Sequence, residues 1–136
     1  MIGLDTTACI DFLNGYKPVK DIINHEGDML CTTVITLYEV QIGLLRTKRK
    51  ISEERYKTLN SKWLEFLSGM EILTLKESEV SCAAEIFDLL EASSQVIDDN
   101  DILIAAILMS NNINKIITRN TKHFNRINRL ITLDYK

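Results

Sequence analysis

The run Ile102-Leu103-Ile104-Ala105-Ala106-Ile107-Leu108-Met109 restricts the fold more than any other stretch of the chain. Ahead of it stand Asp98, Asp99 and Asp101. They suit a helix start, where a side-chain acceptor and negative charge meet unpaired N–H groups and the positive end of the dipole. The helix that follows is apolar nearly all round, so it has to be covered on several sides. It is far shorter than the ~20 residues that cross a bilayer. Met1–Leu4, Met29–Thr32, Ile72–Leu75, Lys115–Thr118 and Leu130–Leu133 read as short apolar strands. Between them lie helical patterns: Thr6–Asn14, Pro18–Glu26 with proline at a first helical position, and a helix from about Thr36 carrying Leu37, Val40, Leu44 and Leu45 on one face. Arg46–Lys50 breaks that helix, and Ser52 caps the next, striped with Tyr56, Leu59, Trp63, Phe66 and Leu67. Another is striped with Val80, Ala83, Ala84, Phe87 and Leu90. Strands alternating with helices predict an α/β three-layer sandwich, a parallel sheet of four to five strands flanked by helices on both faces.

A single proline and the lack of a linker make residues 1–136 one expected domain. Apolar residues at 46% and charged ones at 26% exclude a disordered or fibrous chain. Asp5 and the missing basic start argue against a secretory signal. Cys9, Cys31 and Cys82 are odd in number and form no CxxC pair. Neither a zinc ribbon nor a disulfide framework follows, so they are expected to be small buried hydrophobes in a reducing, cytoplasmic setting.

In an open parallel sheet, ligands bind outside the carboxyl ends of the strands. Asp5 ends the first strand, Glu39 lies in the first turn after the second, and Asp98, Asp99 and Asp101 crowd the start of the apolar helix. Asn120 follows the fourth strand, just after Thr118. Each has a local role open to it. Thr36-Leu37-Tyr38-Glu39 fits a capping box, the aspartates suit helix starts, and Asn120 suits a turn. Converging on one cleft, however, carboxylates repel and raise one another's pKa. A divalent cation relieves that strain, and oxygen-only ligands suit Mg²⁺ or Mn²⁺ rather than zinc.

Four segments in this order resemble the PIN-domain family, and more narrowly its VapC-type toxins. They are Ile2-Gly3-Leu4-Asp5-Thr6-Thr7, Thr36-Leu37-Tyr38-Glu39, Asn100-Asp101-Ile102-Leu103-Ile104-Ala105-Ala106 and Thr118-Arg119-Asn120-Thr121-Lys122-His123-Phe124. The resemblance implies a Mg²⁺- or Mn²⁺-dependent endoribonuclease, with a cognate antitoxin and a homodimer as family partners. By the same analogy Asp5, Glu39 and Asp101 hold the metal directly or through water, and Asn120 stands where many relatives have a fourth acid. Thr6 and Thr118 line the pocket. The amide at Asn120 brings no charge to a second metal, which leaves Asp99 or Asp98 to compensate. Two alternatives stay open: a PIN nuclease outside any toxin pair, and a catalytically silent PIN-like module whose carboxylates are only caps.

The net charge of −3 argues against a broad positive surface for nucleic acid. Yet residues 76–101 hold one lysine against eight acids, whereas residues 102–136 hold six basic residues against one acid. Such segregation suits an acidic metal cleft bordered by a phosphate-binding rim. Arg119 and Lys122 are the expected RNA contacts in the second region, and Arg46 and Lys48 in the earlier basic cluster.

Overall fold

In the computed structural model, which describes residues 1–136, five strands form one parallel sheet: β1 (Ile2–Leu4), β2 (Leu30–Thr33), β3 (Glu71–Leu73), β4 (Lys115–Ile117) and β5 (Ile131–Leu133). Their order is β3-β2-β1-β4-β5. Chain direction across the sheet reverses between β1 and β4, so a crevice opens outside the carboxyl ends of those two neighbours. Helices α1 (Thr6–Leu13), α2 (Lys17–Glu26), α3 (Val34–Lys48) and α4 (Glu53–Ser68) connect β1 to β2 to β3. The return crossover to β4 uses α5 (Glu77–Ala92) and α6 (Asp99–Ser110), and the single-turn α7 (Thr121–Phe124) leads to β5. No helix is long and apolar enough to cross a membrane.

The alternation of side chains along each strand builds two cores. Ile2, Leu4 and Ile117 face Ala8, Val19, Val40, Leu44 and Trp63 of α1–α4. Cys31 and Ile116 face the other way, into α5, α6 and α7. Residues Ile104 to Leu108 of α6 are completely buried, the cover that its apolar sequence demands. Gly3 is what lets α6 lie so close: a Cβ there would stand 2.7 Å from both Leu108 methyl carbons.

Local chemistry sets the helix limits. Asp5 caps α1, Ser52 Oγ caps α4 by accepting from the Arg55 N–H at 3.2 Å, and Pro18 sits in the first turn of α2. Gly27 ends α2 with φ +60°, in the left-handed region that favours glycine.

Four expectations are corrected. The helix after β2 starts at Val34, because Thr33 Oγ1 accepts the Thr36 N–H at 3.3 Å. Glu39 therefore lies in the second turn and closes no capping box. That helix continues through Arg46 to Lys48 rather than breaking. In α5 the inward face is Glu79, Ala83, Ile86 and Leu90, while Val80 is exposed; Glu79 caps the helix start through the Lys76 N–H, and this rotates the apolar stripe. Cys82 is half-buried, whereas Cys9 and Cys31 are buried; all three are free thiols.

Gly3→Ala should lower stability by about 1–3 kcal/mol through overpacking against fully buried Leu108. Urea denaturation checks this, and Leu108→Ala should cost less in the Gly3→Ala background than in the wild type.

Candidate active site

Asp5 leaves β1 at the centre of the sheet and becomes the N-cap of α1. Its Oδ1 accepts the Ala8 N–H at 2.9 Å and the Thr7 hydroxyl at 2.7 Å, and its Oδ2 accepts the Thr118 hydroxyl at 2.6 Å. The carboxyl is almost fully buried, and burial pushes its pKa up from 3.8 to about 6. The donors from Thr118, Ala8 and Thr7 oppose that rise, and the charge of Asp101 adds to it. Thr118 follows β4, the strand beside β1, and its Oγ1 also accepts the Asn120 N–H at 2.8 Å.

Asp101 lies in the first turn of α6. Burial raises its pKa, a hydrogen bond from His123 opposes the rise, and the charges of Asp98 and Glu39 add to it. Its Oδ2 accepts the Asn120 amide N–H at 2.8 Å, and His123 Nδ1 lies 2.7 Å from the same oxygen. Glu39 Oε1 accepts the Thr6 hydroxyl at 2.6 Å, and Thr36 Oγ1 lies 3.3 Å from Thr6 Oγ1. Asp101 Oδ1 and Glu39 Oε2 have no protein donor.

Asp5, Thr118, Asn120 and Asp101 thus form one hydrogen-bonded chain outside the carboxyl ends of β1 and β4, and Glu39 joins Thr6, the residue after Asp5, and Thr36 in a second set. Asp98 and Asp99 join neither. Both are exposed, and Asp98 makes no capping bond although it occupies the cap position. Thr7, Thr36 and His123 complete the network. Of these, His123 carried a readable signal: three residues after Asn120, a short helix returns it to Asp101.

No three of the His, Cys, Asp and Glu side chains form a group that could by itself hold a metal ion. The three-carboxylate set is therefore not a ready-made cage. Like charges hold the carboxylates apart, and each is engaged by its own donors. The chemistry of the donors nevertheless fits a divalent cation. They are all oxygens, burial disfavours Asp5 and Asp101 as anions, the charge of Asp101 adds to this at Asp5 and those of Asp98 and Glu39 add to it at Asp101, and two carboxylate oxygens remain free.

Of the basic residues, Arg119 and Lys122 flank Asn120 and are exposed. Arg46 and Lys48 lie in the last turn of α3, about 10 and about 14 Å further along the axis from Glu39 at ~1.5 Å per residue. Lys48 Nζ is 5.1 Å from the centre of the Tyr56 ring. A cavity of about 630 Å³ lined by Ile86, Leu89, Met109, Arg126 and Arg129 contains none of these carboxylates.

The sequence pattern of the PIN domain matches residues 2–130. The chain belongs to the PIN domain family. Within the family it is similar to Ribonuclease VapC2 of Rickettsia felis, with 30% identity over 132 residues that make up 94% of this chain and 92% of that protein. Among solved structures it is similar to VapBC2 from Rickettsia felis bound to a promoter DNA fragment, with 26% identity, TM-score 0.83 and complete coverage (100%) of both chains. VapBC-1 of nontypeable Haemophilus influenzae matches at 25% identity and TM-score 0.77, over 99% of this chain and 98% of that one. The DNA-bound VapBC of Salmonella typhimurium shares the fold, at 23% identity and TM-score 0.80, over 99% and 98%.

Because Asp5 titrates higher in the PIN fold than in an unfolded chain, the folded protein holds the extra proton between 3.8 and about 6. Its contribution to stability is complete below that window and is lost as pH rises through it. In EDTA, Asp5→Asn should exceed the wild type by about 1–3 kcal/mol well above the window, and the advantage should vanish well below it. Urea titrations at the two extremes check the sign.

Proposed function

We propose that this chain is a metal-dependent endoribonuclease acting as the toxin of a toxin–antitoxin pair, with Mg²⁺ or Mn²⁺ held by Asp5 and Asp101 and, through water, by Glu39. The observation that carries the reading is the buried Asp5 carboxyl, raised to about 6, sharing one edge of a PIN-family sheet with Asp101 and Glu39. Asp5, Asp101 and Glu39 would hold a divalent cation that, when bound, would lower the pKa of water and neutralise charge developing on the phosphate oxygens. Thr118, Thr7 and the Ala8 N–H hold Asp5, so its carboxylate is oriented before substrate arrives. Asn120 and His123 fix Asp101 through one oxygen, which leaves Oδ1 for the ion. Glu39 Oε2 accepts the proton of the attacking water. That water's oxygen bonds to phosphorus, the bond from phosphorus to the 3′ oxygen breaks, and a proton from solvent reaches the leaving oxygen. The products are a 5′-phosphate and a 3′-hydroxyl.

The named relatives support ribonuclease activity and pairing with an antitoxin. An apolar cavity of about 210 Å³ between α3 and α4, lined by Leu44, Leu45, Trp63, Leu64 and Leu67, supports a protein partner, the antitoxin or a second copy. Leu45 and Leu64 remain largely exposed there. The reading extends to a homodimer and to residues 1–136 as one domain. Arg119, Lys122, Arg46 and Lys48 are its RNA contacts.

Purified protein incubated with tRNA, rRNA and mRNA pools should cut RNA in Mg²⁺ and stop in EDTA, with ends mapped as 5′-phosphate and 3′-hydroxyl. Asp5→Asn or Asp101→Asn should reduce cleavage at least about 10²-fold while the fold persists, as loss of a group that acts on the transition state does. Wild-type rates in either variant, or cleavage unaffected by EDTA, would overturn the mechanism.

A further inference from the structure

Two buried carboxylates lie outside the metal site. Glu79 is accounted for: it accepts the Lys76 N–H at 3.0 Å and the Ser78 hydroxyl at 2.9 Å, closing the start of α5. Asp11 serves no helix end. It is in the last turn of α1 with only 8% of its surface exposed. Its Oδ2 accepts the Tyr135 hydroxyl at 2.6 Å and lies 3.2 Å from Arg119 Nε.

The two partners of Asp11 differ in kind. Tyr135 is buried, and burial together with its bond to Asp11 pushes its pKa up, so it is a fixed donor from behind. The Arg119 side chain is 56% exposed and in front. At its other end Arg119 is tied to the metal site, because its backbone N–H donates to Thr7 Oγ1 at 3.1 Å and Thr7 in turn donates to Asp5 Oδ1 at 2.7 Å. The backbone N–H is thus hydrogen-bonded and Nε stands in an ion pair with Asp11, while the two Nη groups have no protein acceptor.

An exposed ion pair contributes little to stability on its own. A carboxylate beside a phosphate site also repels the substrate. Burying Asp11 there makes chemical sense if its task is orientation: a guanidinium with a fixed plane loses less freedom on gripping a phosphate than a free one.

We propose that Asp11 and Tyr135 are positioning residues for Arg119, aiming its Nη groups at a backbone phosphate of RNA beside the Asp5 site. The inference rests on the nuclease reading above and adds to it the part that grips the strand.

The test is the affinity of a short fluorescein-labelled single-stranded RNA, read by anisotropy over a series of KCl concentrations with Ca²⁺ replacing the catalytic ion. Arg119→Gln should weaken binding about tenfold and flatten the log–log salt slope by about 0.7, the value for one lost phosphate contact on a single strand. Asp11→Asn removes a negative charge, so simple electrostatics calls for tighter binding, whereas positioning calls for binding about threefold weaker. In the Arg119→Gln background, Asp11→Asn should weaken nothing further. Tyr135→Phe keeps every charge and should weaken binding about twofold with a lower Tm.

Folded Asp11→Asn binding RNA as tightly as wild type, or more tightly, overturns the proposal. So does Tyr135→Phe lowering the Tm while Kd and slope stay unchanged, the result of a purely structural tie. If Asp11→Asn does not fold, Tyr135→Phe decides alone. Wild-type protein that binds no RNA overturns the nuclease reading itself, and the proposal with it.

Discussion

One carboxylate, Asp5, organises the carboxyl edge of the sheet. Burying it at the end of the central strand is unfavourable for the anion, and the fold offsets this with donors from three directions: the α1 backbone, Thr7, and Thr118 on the neighbouring strand. Those bonds tie β1, α1 and β4 together where the direction of the sheet reverses, which is where a doubly wound fold leaves its crevice. Burial leaves that carboxyl raised to about 6, and on the proposed function a divalent cation would offset this. On that reading stability and function pull against each other at this residue, as they commonly do where charge is buried for chemistry.

The wider architecture serves the same end. Ile104 to Leu108 of α6 are buried against the sheet and α5, and Gly3 allows the closest approach to β1. That approach carries the first turn of α6, with Asp101, to the same edge as Asp5. Asn120 and His123 on the far side of β4 then fix Asp101 through a single oxygen. A rigid scaffold supplies the placement, and short side chains at the ends of its elements supply the chemistry.

The fold was legible because its signals are local. The all-apolar α6, the short apolar strands and the polar residues at their carboxyl ends are properties of single segments. What misled was competition between neighbours: Thr33 outcompetes Thr36 as the α3 cap, and Glu79 turns inward to cap α5, rotating its stripe away from Val80. Asp101 alone has the spacing to Ile104-Ala105-Ala106 that the resemblance requires, and Asp98 and Asp99, which sequence left open as compensating acids, are exposed away from the sheet edge. The tie of Asp11 and Tyr135 to Arg119 escaped notice because the partners are distant in the chain. Asp11 and Tyr135 are 124 positions apart, and no periodicity links them. The net charge of −3 misled in another way, since it averages the basic segment after α6 with acids that lie mostly on α5, of which only Asp101 at the start of α6 reaches the sheet edge.

The claim at the centre of this account is that burial holds Asp5 above its ordinary titration range and that a divalent cation reverses this. A ¹³C NMR titration of the Asp5 carboxyl, run in EDTA and again in saturating Mg²⁺, measures both. The account predicts a midpoint near 6 without the ion and one below the ordinary carboxylate range, under ~4, with it. A midpoint in the ordinary range without metal, or one that Mg²⁺ leaves in place, would contradict it.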